Sequence, residues 1–447
     1  YQVVMPMTVT KVKDGHTVEN TATQVTNDRR DKTNTVTNPL KEINPTKDVT
    51  VKVGGDSVDG KSVYLNHTFL YRLDSSILPP DRAYQTVTDW GGTDQLNTEY
   101  DQYLGNWAVY ASRDLYRDGQ MLAARGEKIA GSGFDSSKFG GNLFTVDADD
   151  NGKVTADATQ AYLDLVSADN EHEAGWVLYL QCKRIAVADE VPNTWTETIN
   201  GQPRESNKVV TKTPDMTPSI HLEKVDTPTL KQDGQEQADR DDPKQALKMD
   251  ADSIGITFII TNTSKTDPAT GDGAWFKASD LNLDDSTIVG DAHVDMDSLT
   301  YPADWDTLVL KPGESVSVTG TLKGVKEGDT HTDRAIVTGT PLVECAPSNG
   351  DPFNDKTDGG EDTDPEYSTG DVTEIDGKQL CADTQTASNT DDWNGYRAKP
   401  LASTGTAVLG LAGGALAVLL AGGSLLVFRK RHYAQGSGRH TAVNAGK

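Results

Sequence analysis

A repeated stretch of sequence limits what this chain can fold into more than any other feature. The segment ENTATQVTNDRRDKTNTVTN at residues 19–38 aligns without gaps on PNTWTETINGQPRESNKVVT at residues 192–211, with a constant offset of 173 residues. Each copy has the pattern of two strands around a polar turn. An offset of this size indicates a domain-sized unit that occurs twice. The matched positions include Asn20 with Asn193, Asn27 with Asn200, Asn34 with Asn207 and Val36 with Val209.

The repeat divides the chain into modules. Residues 1–39 are expected to be the C-terminal strands of a truncated copy, and residues 45–214 a complete copy. We expect a third module over 216–344 and an acidic, glycine-rich flexible spacer over 345–400, because that segment is poor in apolar residues. The chain has 447 residues and no initiator Met. It is therefore expected to be the C-terminal part of a longer protein.

The fold class follows from alternating apolar positions. In DVTVKV, Val49, Val51 and Val53 point to one face, and HTFLYRL, NWAVYA and GWVLYLQCKRIAV also have the pattern of strands. Only TQAYLDLVSA at 159–168 has a helical pattern. The sequence predicts an all-β protein of Ig-like β-sandwich modules arranged in a row.

The C-terminal region has the composition of a membrane span. Residues 406–428 are apolar and uncharged, and RKR follows at 429–431. As a helix this run would extend roughly 34 Å at about 1.5 Å per residue, enough to cross a bilayer. Basic residues stay on the cytoplasmic side. We therefore expect a transmembrane helix, a cytoplasmic tail over 429–447 and all preceding residues outside the cell.

LASTG precedes this apolar run, and the three parts together resemble the cell-wall sorting signal of Gram-positive surface proteins. The motif residues are Leu401, Ala402, Ser403, Thr404 and Gly405, with Ala402 where the usual motif has proline. The resemblance implies that a sortase cleaves after Thr404 and joins it to a peptidoglycan amine. The precursor would then be held in the membrane only transiently. A simple membrane tether is the alternative.

Charge and motifs exclude several function classes. The formal net charge of −26 argues against nucleic-acid binding, which depends on neutralising phosphates. The 8 His residues are scattered, and neither His-Glu-x-x-His nor Gly-x-Ser-x-Gly occurs. DADDNGKVTADA has the start of a calcium loop, but Ala158 stands where a bidentate Glu is needed, so we expect an Asn-Gly hairpin. No enzyme, cofactor or metal site is predicted.

The 3 cysteines cannot form a dense disulfide framework. Cys345 and Cys381 flank the acidic segment, and an extracellular location permits a disulfide between them. Cys182 has the same parity as Leu178 and Leu180, so it is expected to be a buried thiol.

Residues 45–214 resemble the C-terminal domains of antigen I/II adhesins, through PTKDVTVKV, VDGKSVYL, TFLYRL, TDWGG, LQCKRIAV and SNKVV. That family implies an autocatalytic Lys–Asn isopeptide bond. We assign it to Lys47 and Asn207, with Asp89 as the acid and Asp101 in reserve. Parity places Lys47 with Val49, Asn207 with Val209 and Asp89 with Val87, so all three can face inward. The alternative is a strand-edge lysine and a turn asparagine.

The third module resembles repetitive bacterial surface domains. Such relatives often have Asn-Thr-Ala before the last strand, where this chain has Asp333-Arg334-Ala335. We therefore expect no isopeptide bond there, and Lys224 is interpreted as an ordinary strand lysine.

These features together favour the stalk and anchor of a wall-anchored adhesin. Its partners would be the sortase, peptidoglycan through Thr404, and an unknown host or bacterial surface ligand bound by an upstream region. Two alternatives remain: the stalk of an extracellular hydrolase with an upstream catalytic domain, and a pilin subunit.

Overall fold

A computed structural model describes residues 2–7, 9, 15–83, 85–228, 231–232, 235–236, 239–347, 350–353 and 372–400. Residues 1–399 form one unit and residues 400–447 a second, of which only Pro400 is described. The predicted sorting motif, transmembrane helix and tail therefore lie outside the described residues. Within the described part of the chain, no helix is both long and apolar enough to cross a membrane.

The first copy of the repeat forms two antiparallel strand pairs. The outer pair is β1 with β4 and the inner pair is β2 with β3, and all four strands are exposed. Asn27 and Asp28 at the inner turn both have positive φ, as a two-residue type I′ turn requires. The strands are β1 Thr17–Asn20, β2 Thr23–Thr26, β3 Arg29–Lys32 and β4 Val36–Pro39.

Residues 45–214, called here the complete module, contain fourteen strands and one α-helix. The helix, α1, spans Gln160–Ala168, and a 3₁₀ helix spans Ser137–Phe139. The strands are β5 Thr46–Thr50, β6 Thr68–Asp74, β7 Trp90–Gln95, β8 Asp101–Ala111, β9 Leu115–Arg117, β10 Gln120–Ala123, β11 Lys128–Gly131, β12 Phe144–Ala148, β13 Lys153–Ala158, β14 Trp176–Arg184, β15 Ala188–Asn193, β16 Trp195–Ile199, β17 Gln202–Glu205 and β18 Val209–Thr213.

Two five-stranded antiparallel sheets enclose the core of the complete module. Sheet A has the order β11-β8-β14-β6-β5, and sheet B has the order β12-β13-β7-β16-β17. Strand β15 pairs separately with β18. The fully buried rings of Trp90, Trp176 and Trp195 fill the core, with Trp176 5.8 Å from Trp195. Alternation along each strand directs these rings inward, so the complete module is a β-sandwich.

The second copy of the repeat lies within this sandwich in the same register as the first. Asn193 pairs with Val209, as Asn20 pairs with Val36. Asn200 and Gly201 have positive φ at the turn, as Asn27 and Asp28 do. The repeated sequence therefore forms the same nested hairpin twice.

The calcium-like segment forms a hairpin between β12 and β13. The Asp149 carboxylate accepts hydrogen bonds from the backbone N–H groups of Asn151 and Lys153, each at 2.9 Å. The described residues contain no group of three or more His, Cys, Asp or Glu side chains arranged to hold a metal ion.

The third module contains two four-stranded sheets. Sheet C has the order β19-β23-β28-β26 and sheet D the order β22-β33-β29-β25. Short 3₁₀ helices span Pro243–Gln245, Ala278–Asp280 and Met296–Ser298. The strands are β19 Ile220–Thr227, β20 Lys231–Gln232, β21 Gln235–Glu236, β22 Leu247–Lys248, β23 Ser253–Asn262, β24 Phe276–Lys277, β25 Asn282–Val289, β26 His293–Val294, β27 Val309–Leu310, β28 Ser315–Lys323, β29 Thr330–Gly339, β30 Leu342–Glu344, β31 Thr373–Ile375, β32 Lys378–Ala382 and β33 Ala387–Tyr396.

The structure differs from the predicted spacer over 345–400. Strand β33 pairs with β29 along its whole length, and its Trp393 is fully buried in the core of the third module. Strands β30, β32 and β31 form a further sheet, and a disulfide joins Cys345 to Cys381. The sequence ASNTDDWNGY is polar enough to resemble a linker, but a strand between two neighbours needs only a few buried side chains. Residues 354–371 lie outside the described residues.

Candidate cross-linking site

Lys47 lies on β5 at the edge of sheet A, and its side chain crosses the core toward sheet B. The side chain is fully buried, as is that of Asp94 on β7, and the two form an ion pair. Lys47 shares its face of β5 with Val49, which is also fully buried. The apolar alternation of β5 therefore places the lysine inside, and Asp94 meets it from the opposite sheet.

The surroundings of Lys47 favour its neutral form. Burial lowers the pKa of Lys47, and the nearby negative charge of Asp94 opposes this shift. The Tyr71 ring lies 4.4 Å from Nζ and excludes water on that side. A buried amine that loses its proton readily is a competent nucleophile.

Asp101, the reserve acid, is committed to other partners. Its Oδ2 accepts a hydrogen bond from the Tyr71 hydroxyl at 2.8 Å, and its Oδ1 lies 2.9 Å from Arg184 Nε. Arg184 in turn donates to Thr211 Oγ1 at 2.6 Å. Burial raises the pKa of Asp101, and Arg184 opposes the shift. This pair lies beside the Lys47 site but does not contact its amine.

Asp89, the acid assigned from the sequence, lies at the turn of the repeated hairpin. Its Oδ1 accepts a hydrogen bond from the Gly201 N–H at 3.0 Å, and its carbonyl oxygen accepts one from the Asn200 N–H at 3.1 Å. Asn200 Oδ1 accepts from the Thr88 N–H at 2.7 Å. Asp89 thus holds the β16–β17 turn, while Asp94 is the carboxylate in contact with Lys47.

The side-chain amide of Asn207 forms hydrogen bonds with the main chain of Lys47. The Lys47 N–H donates to Asn207 Oδ1, and Asn207 Nδ2 donates to the Lys47 carbonyl oxygen, both at 2.9 Å. This two-bond pairing imitates a strand ladder at the edge of sheet A. It places the carboxamide against the backbone of Lys47, whereas the amine is at the far end of the side chain, against Asp94.

Asn193 on β15 is a second asparagine of the complete module, and it is buried, being 6% exposed. Its Nδ2 is buried and makes no hydrogen bond within the described part of the chain. Trp195, two residues later on the same face, pairs in register with Asp94 and donates its indole N–H to the Thr46 carbonyl oxygen at 3.0 Å. Asn193 therefore shares a strand face with Trp195, the residue that pairs with Asp94 in sheet B.

The sequence contains signals that could have identified Asp94 and Asn193 as buried residues. Asp94 has the parity of Trp90 on β7, and both are buried. Asn193 has the parity of Val191 and is matched by Asn20 in the repeat. The alternation of residues was also compatible with Asp89 as the acid, because alternation does not show where a strand begins. In the structure Asp89 precedes β7, whereas Asp94 lies within it.

Comparisons with known families agree with this architecture. Residues 44–214 match the family described as cell surface antigen C-terminus, and residues 1–40 match the cell surface antigen I/II C2 terminal domain. The chain carries antigen I/II-type surface adhesin domains. The two matches correspond to the two copies of the repeat. Domains of this type are found on the cell surface, which fits an extracellular location.

Individual proteins that resemble this chain align with only part of it. The aggregation substance of Enterococcus faecalis is 36% identical over 201 residues, which is 44% of this chain and 14% of that protein. The C-terminal domain of the Streptococcus pyogenes antigen I/II-family protein AspA is 26% identical, with a TM-score of 0.38, covering 44% of this chain and 54% of that one. The BspA C-terminal domain of Streptococcus agalactiae is 22% identical, with a TM-score of 0.39, covering 44% and 58%.

Proposed function

We propose that this chain is the stalk of a wall-anchored surface adhesin and that an isopeptide bond from Lys47 locks its complete module. The observation that carries the proposal is the buried Lys47–Asp94 pair, which joins the two sheets of a module that also buries an asparagine, Asn193, whose Nδ2 makes no hydrogen bond within the described residues. Two buried charges are costly in a module that must stay folded outside the cell. Conversion of the amine to an amide removes that cost.

We propose Asn193 as the acceptor in place of Asn207, because both amide atoms of Asn207 bond the Lys47 main chain, whereas Asn193 Nδ2 makes no hydrogen bond within the described residues. The protonated carboxyl of Asp94 would polarise the Asn193 carbonyl, and the neutral Lys47 amine would attack the side-chain carbon. The C–N bond to Nδ2 then breaks and ammonia leaves, so that one amide replaces another. Asn207 would instead align β5 for the reaction through its two hydrogen bonds to Lys47.

Such a bond gives the stalk resistance to force and proteolysis. It closes a loop from the first strand of the complete module to the end of β15, well over a hundred residues. Closing a loop of this length contributes roughly 5 kcal/mol to stability, comparable with the whole stability of a typical domain. Chain between the two linked residues cannot be extended by pulling.

The anchor and the ligand-binding region complete the proposal. LASTG and the apolar run support sortase processing and covalent attachment of Thr404 to peptidoglycan. The aligned region is a small fraction of the Enterococcus faecalis relative, 14% of its length. We propose that another region of a longer protein binds the surface ligand and that this chain projects it from the wall.

Mass spectrometry tests the cross-link. The purified protein should contain joined Lys47 and Asn193 peptides whose combined mass is short by one ammonia. Lys47→Ala and Asn193→Ala should restore the full mass, whereas Asn207→Ala should reduce the yield of the bond without abolishing it. A joined Lys47–Asn207 peptide would return the assignment to Asn207. Separate peptides at full mass would refute the bond.

The stalk reading also implies that the chain turns over no external substrate. We expect no hydrolysis of glycan, peptide or ester substrates by the purified protein. A hydrolytic activity that a single substitution removes would favour the hydrolase alternative.

A further inference from the structure

The third module has a buried lysine of its own. Lys224 lies on β19 in sheet C with its side chain directed into the core, on the same face as Leu222 and Asp226. Two carboxylates meet it from sheet D: Asp285 on β25 and Asp333 on β29. Since β25 and β29 are adjacent, with Asp285 opposite Ala335, the two acids lie diagonally on one inner face.

The three side chains are excluded from solvent. Their exposures are 0% for Lys224, 1% for Asp285 and 0% for Asp333. Lys224 Nζ lies 2.5 Å from Asp285 Oδ2 and 2.6 Å from Asp333 Oδ2. The Phe258 ring lies 5.5 Å from the amine. This differs from the ordinary strand lysine expected from the sequence.

An exposed pair in the same module shows the contrast. Lys323 and Asp295 form an ion pair at 2.8 Å, with side chains 52% and 34% exposed. Water solvates both charges of that pair, so the pair is stable without being neutralised by a covalent reaction. Lys224 and its two acids have no such solvation, and three buried ionisable groups are costly unless they are neutralised.

His331 provides a further contact to the second acid. Its Nε2 lies 3.1 Å from Asp333 Oδ2, and the ring is almost completely buried. Asp333 therefore has the lysine on one side and an imidazole on the other. Asp285 receives a hydrogen bond from the amine. The two acids are thus differently placed: Asp333 is in a position to relay a proton, and Asp285 presents its carboxyl to the amine.

We propose that Lys224 and Asp285 form an intramolecular amide bond, with Asp333 as the proton carrier. The reaction starts from a Lys224 ammonium, a protonated Asp285 carboxyl and an ionised Asp333. Asp333 takes one proton from the ammonium, and the resulting amine attacks the Asp285 side-chain carbon. The bond from that carbon to its hydroxyl breaks as the hydroxyl accepts a proton. The products are one amide, one water and a protonated Asp333.

The pKa of the Asp285 carboxyl is shifted in the direction that this starting point requires. Burial raises the pKa of Asp285 to about 6, with Lys224 opposing the shift and Asp333 adding to it. A neutral carboxyl is the form that an amine can attack, since a carboxylate repels the nucleophile. The product contains no buried ammonium, which removes the largest desolvation cost of the cluster.

The bond would give the third module the same type of lock that is proposed for the complete module. Both lysines lie on the first strand of their module and reach a carboxylate on the opposite sheet. In the third module the leaving group is water because the acceptor is an aspartate. Each sandwich would then have its two halves joined covalently, so the stalk would contain two locks in series.

Peptide mapping of the full-length protein tests the proposal. After denaturation and proteolysis, tandem mass spectrometry should find a Lys224 peptide joined to an Asp285 peptide, with a combined mass short by one water. Separate peptides at their full masses would overturn the proposal and leave a buried ion pair. A Lys224 peptide joined to Asp333 would overturn the assignment of the two acids.

Asp333→Asn tests the proton carrier with little change in side-chain volume. We expect this variant to give the Lys224 and Asp285 peptides separately while its far-UV circular dichroism stays that of a β-protein. Complete cross-linking in the variant would refute the role of Asp333. The control is Asp295→Asn in the exposed pair, which should leave the joined peptide unchanged. If Asp333→Asn does not fold, the mapping of the unmodified protein still decides the bond.

Discussion

At the scale of single residues, burial determines which charged groups can react. Lys47 and Lys224 are fully buried against carboxylates, whereas Lys323 and Lys311 form ion pairs that are partly exposed. All four make short contacts with an Asp, so distance does not separate them. The buried groups lose solvation, which lowers the pKa of Lys47 and raises the pKa of Asp285 beside Lys224. Reactivity is therefore expected only at the first two lysines.

The role of Asp94 can be separated from that of Asp89 by matched substitutions. Asp94→Asn removes the acid next to Lys47, so we expect no loss of ammonia and a protein of full mass. Asp89→Asn keeps an oxygen that can accept from the Gly201 N–H, so its cross-link should form normally. Intact-mass measurement of both variants checks this. Loss of the bond in Asp89→Asn alone would restore the assignment made from the sequence.

His67 makes stability depend on pH. It is half-buried near Glu344, and burial lowers its pKa to about 4 from an ordinary 6.5. The unfolded chain therefore takes up a proton that the folded protein resists. The stabilisation of the fold by the neutral His67 side chain is fully present above about pH 6.5 and is lost as the pH falls toward 4. Calorimetry at about pH 7 and about pH 4.5, on either side of the titration of an unfolded-state histidine, should compare the unmodified protein with His67→Gln. We expect the larger drop in Tm for the unmodified protein. Equal drops would contradict the prediction.

At the scale of elements, the nested hairpin is the unit that the sequence repeats. Its turn needs two residues with positive φ, and the chain meets this with Asn27-Asp28 in one copy and Asn200-Gly201 in the other. The copies differ in burial, because β1–β4 are exposed while β15, β16 and β18 contribute to the core of the complete module. The turn residues therefore specify the hairpin. Packing within the complete module determines whether its strands are buried.

The turn at Gly201 gives a prediction for the element. Gly201 has φ of +68°, and a Cβ added there meets no other atom within 4 Å. Any cost of substitution is therefore conformational. Gly201→Val should lower the free energy of unfolding by about 1–2 kcal/mol, because a β-branched residue is strained at positive φ. Gly201→Asn should cost much less, and urea denaturation compares the two. Equal midpoints would show that the turn can change its conformation freely.

At the scale of the whole molecule, the described part of the segment that the sequence predicted as a spacer contacts both modules. Phe353 is almost fully buried against Leu70, Tyr110 and Tyr179 of the complete module. Its carbonyl oxygen accepts a hydrogen bond from Lys128 Nζ at 2.9 Å. Elsewhere the Tyr64 hydroxyl donates to Asp272 of the third module at 3.0 Å. These contacts favour a stalk that transmits force through both modules together.

The anchor prediction also belongs to the whole molecule. Thr404→Ala should move the protein from the peptidoglycan fraction to the membrane or the medium, because the proposed sortase would lose the residue at which it cleaves. Fractionation of cells followed by immunoblotting measures this. Ser403→Ala is the control, since that position varies in the motif. Wall-linked protein at the normal level in Thr404→Ala would contradict sortase anchoring.

The sequence by itself determined the all-β class and the repeat, because these depend on local periodicity and on turn residues. Parity was wrong for Val51 and Asn207, which it predicted to face inward and which are exposed. The sequence also placed Lys47 in the core. It did not determine which carboxylate meets that lysine, since Asp94 approaches from the other sheet and Asp89 is only five positions earlier on the chain. The incorporation of β33 into sheet D and the acids around Lys224 were likewise decided only by tertiary structure. Contacts between sheets join residues far apart in the chain, and local patterns carry no information about such pairs.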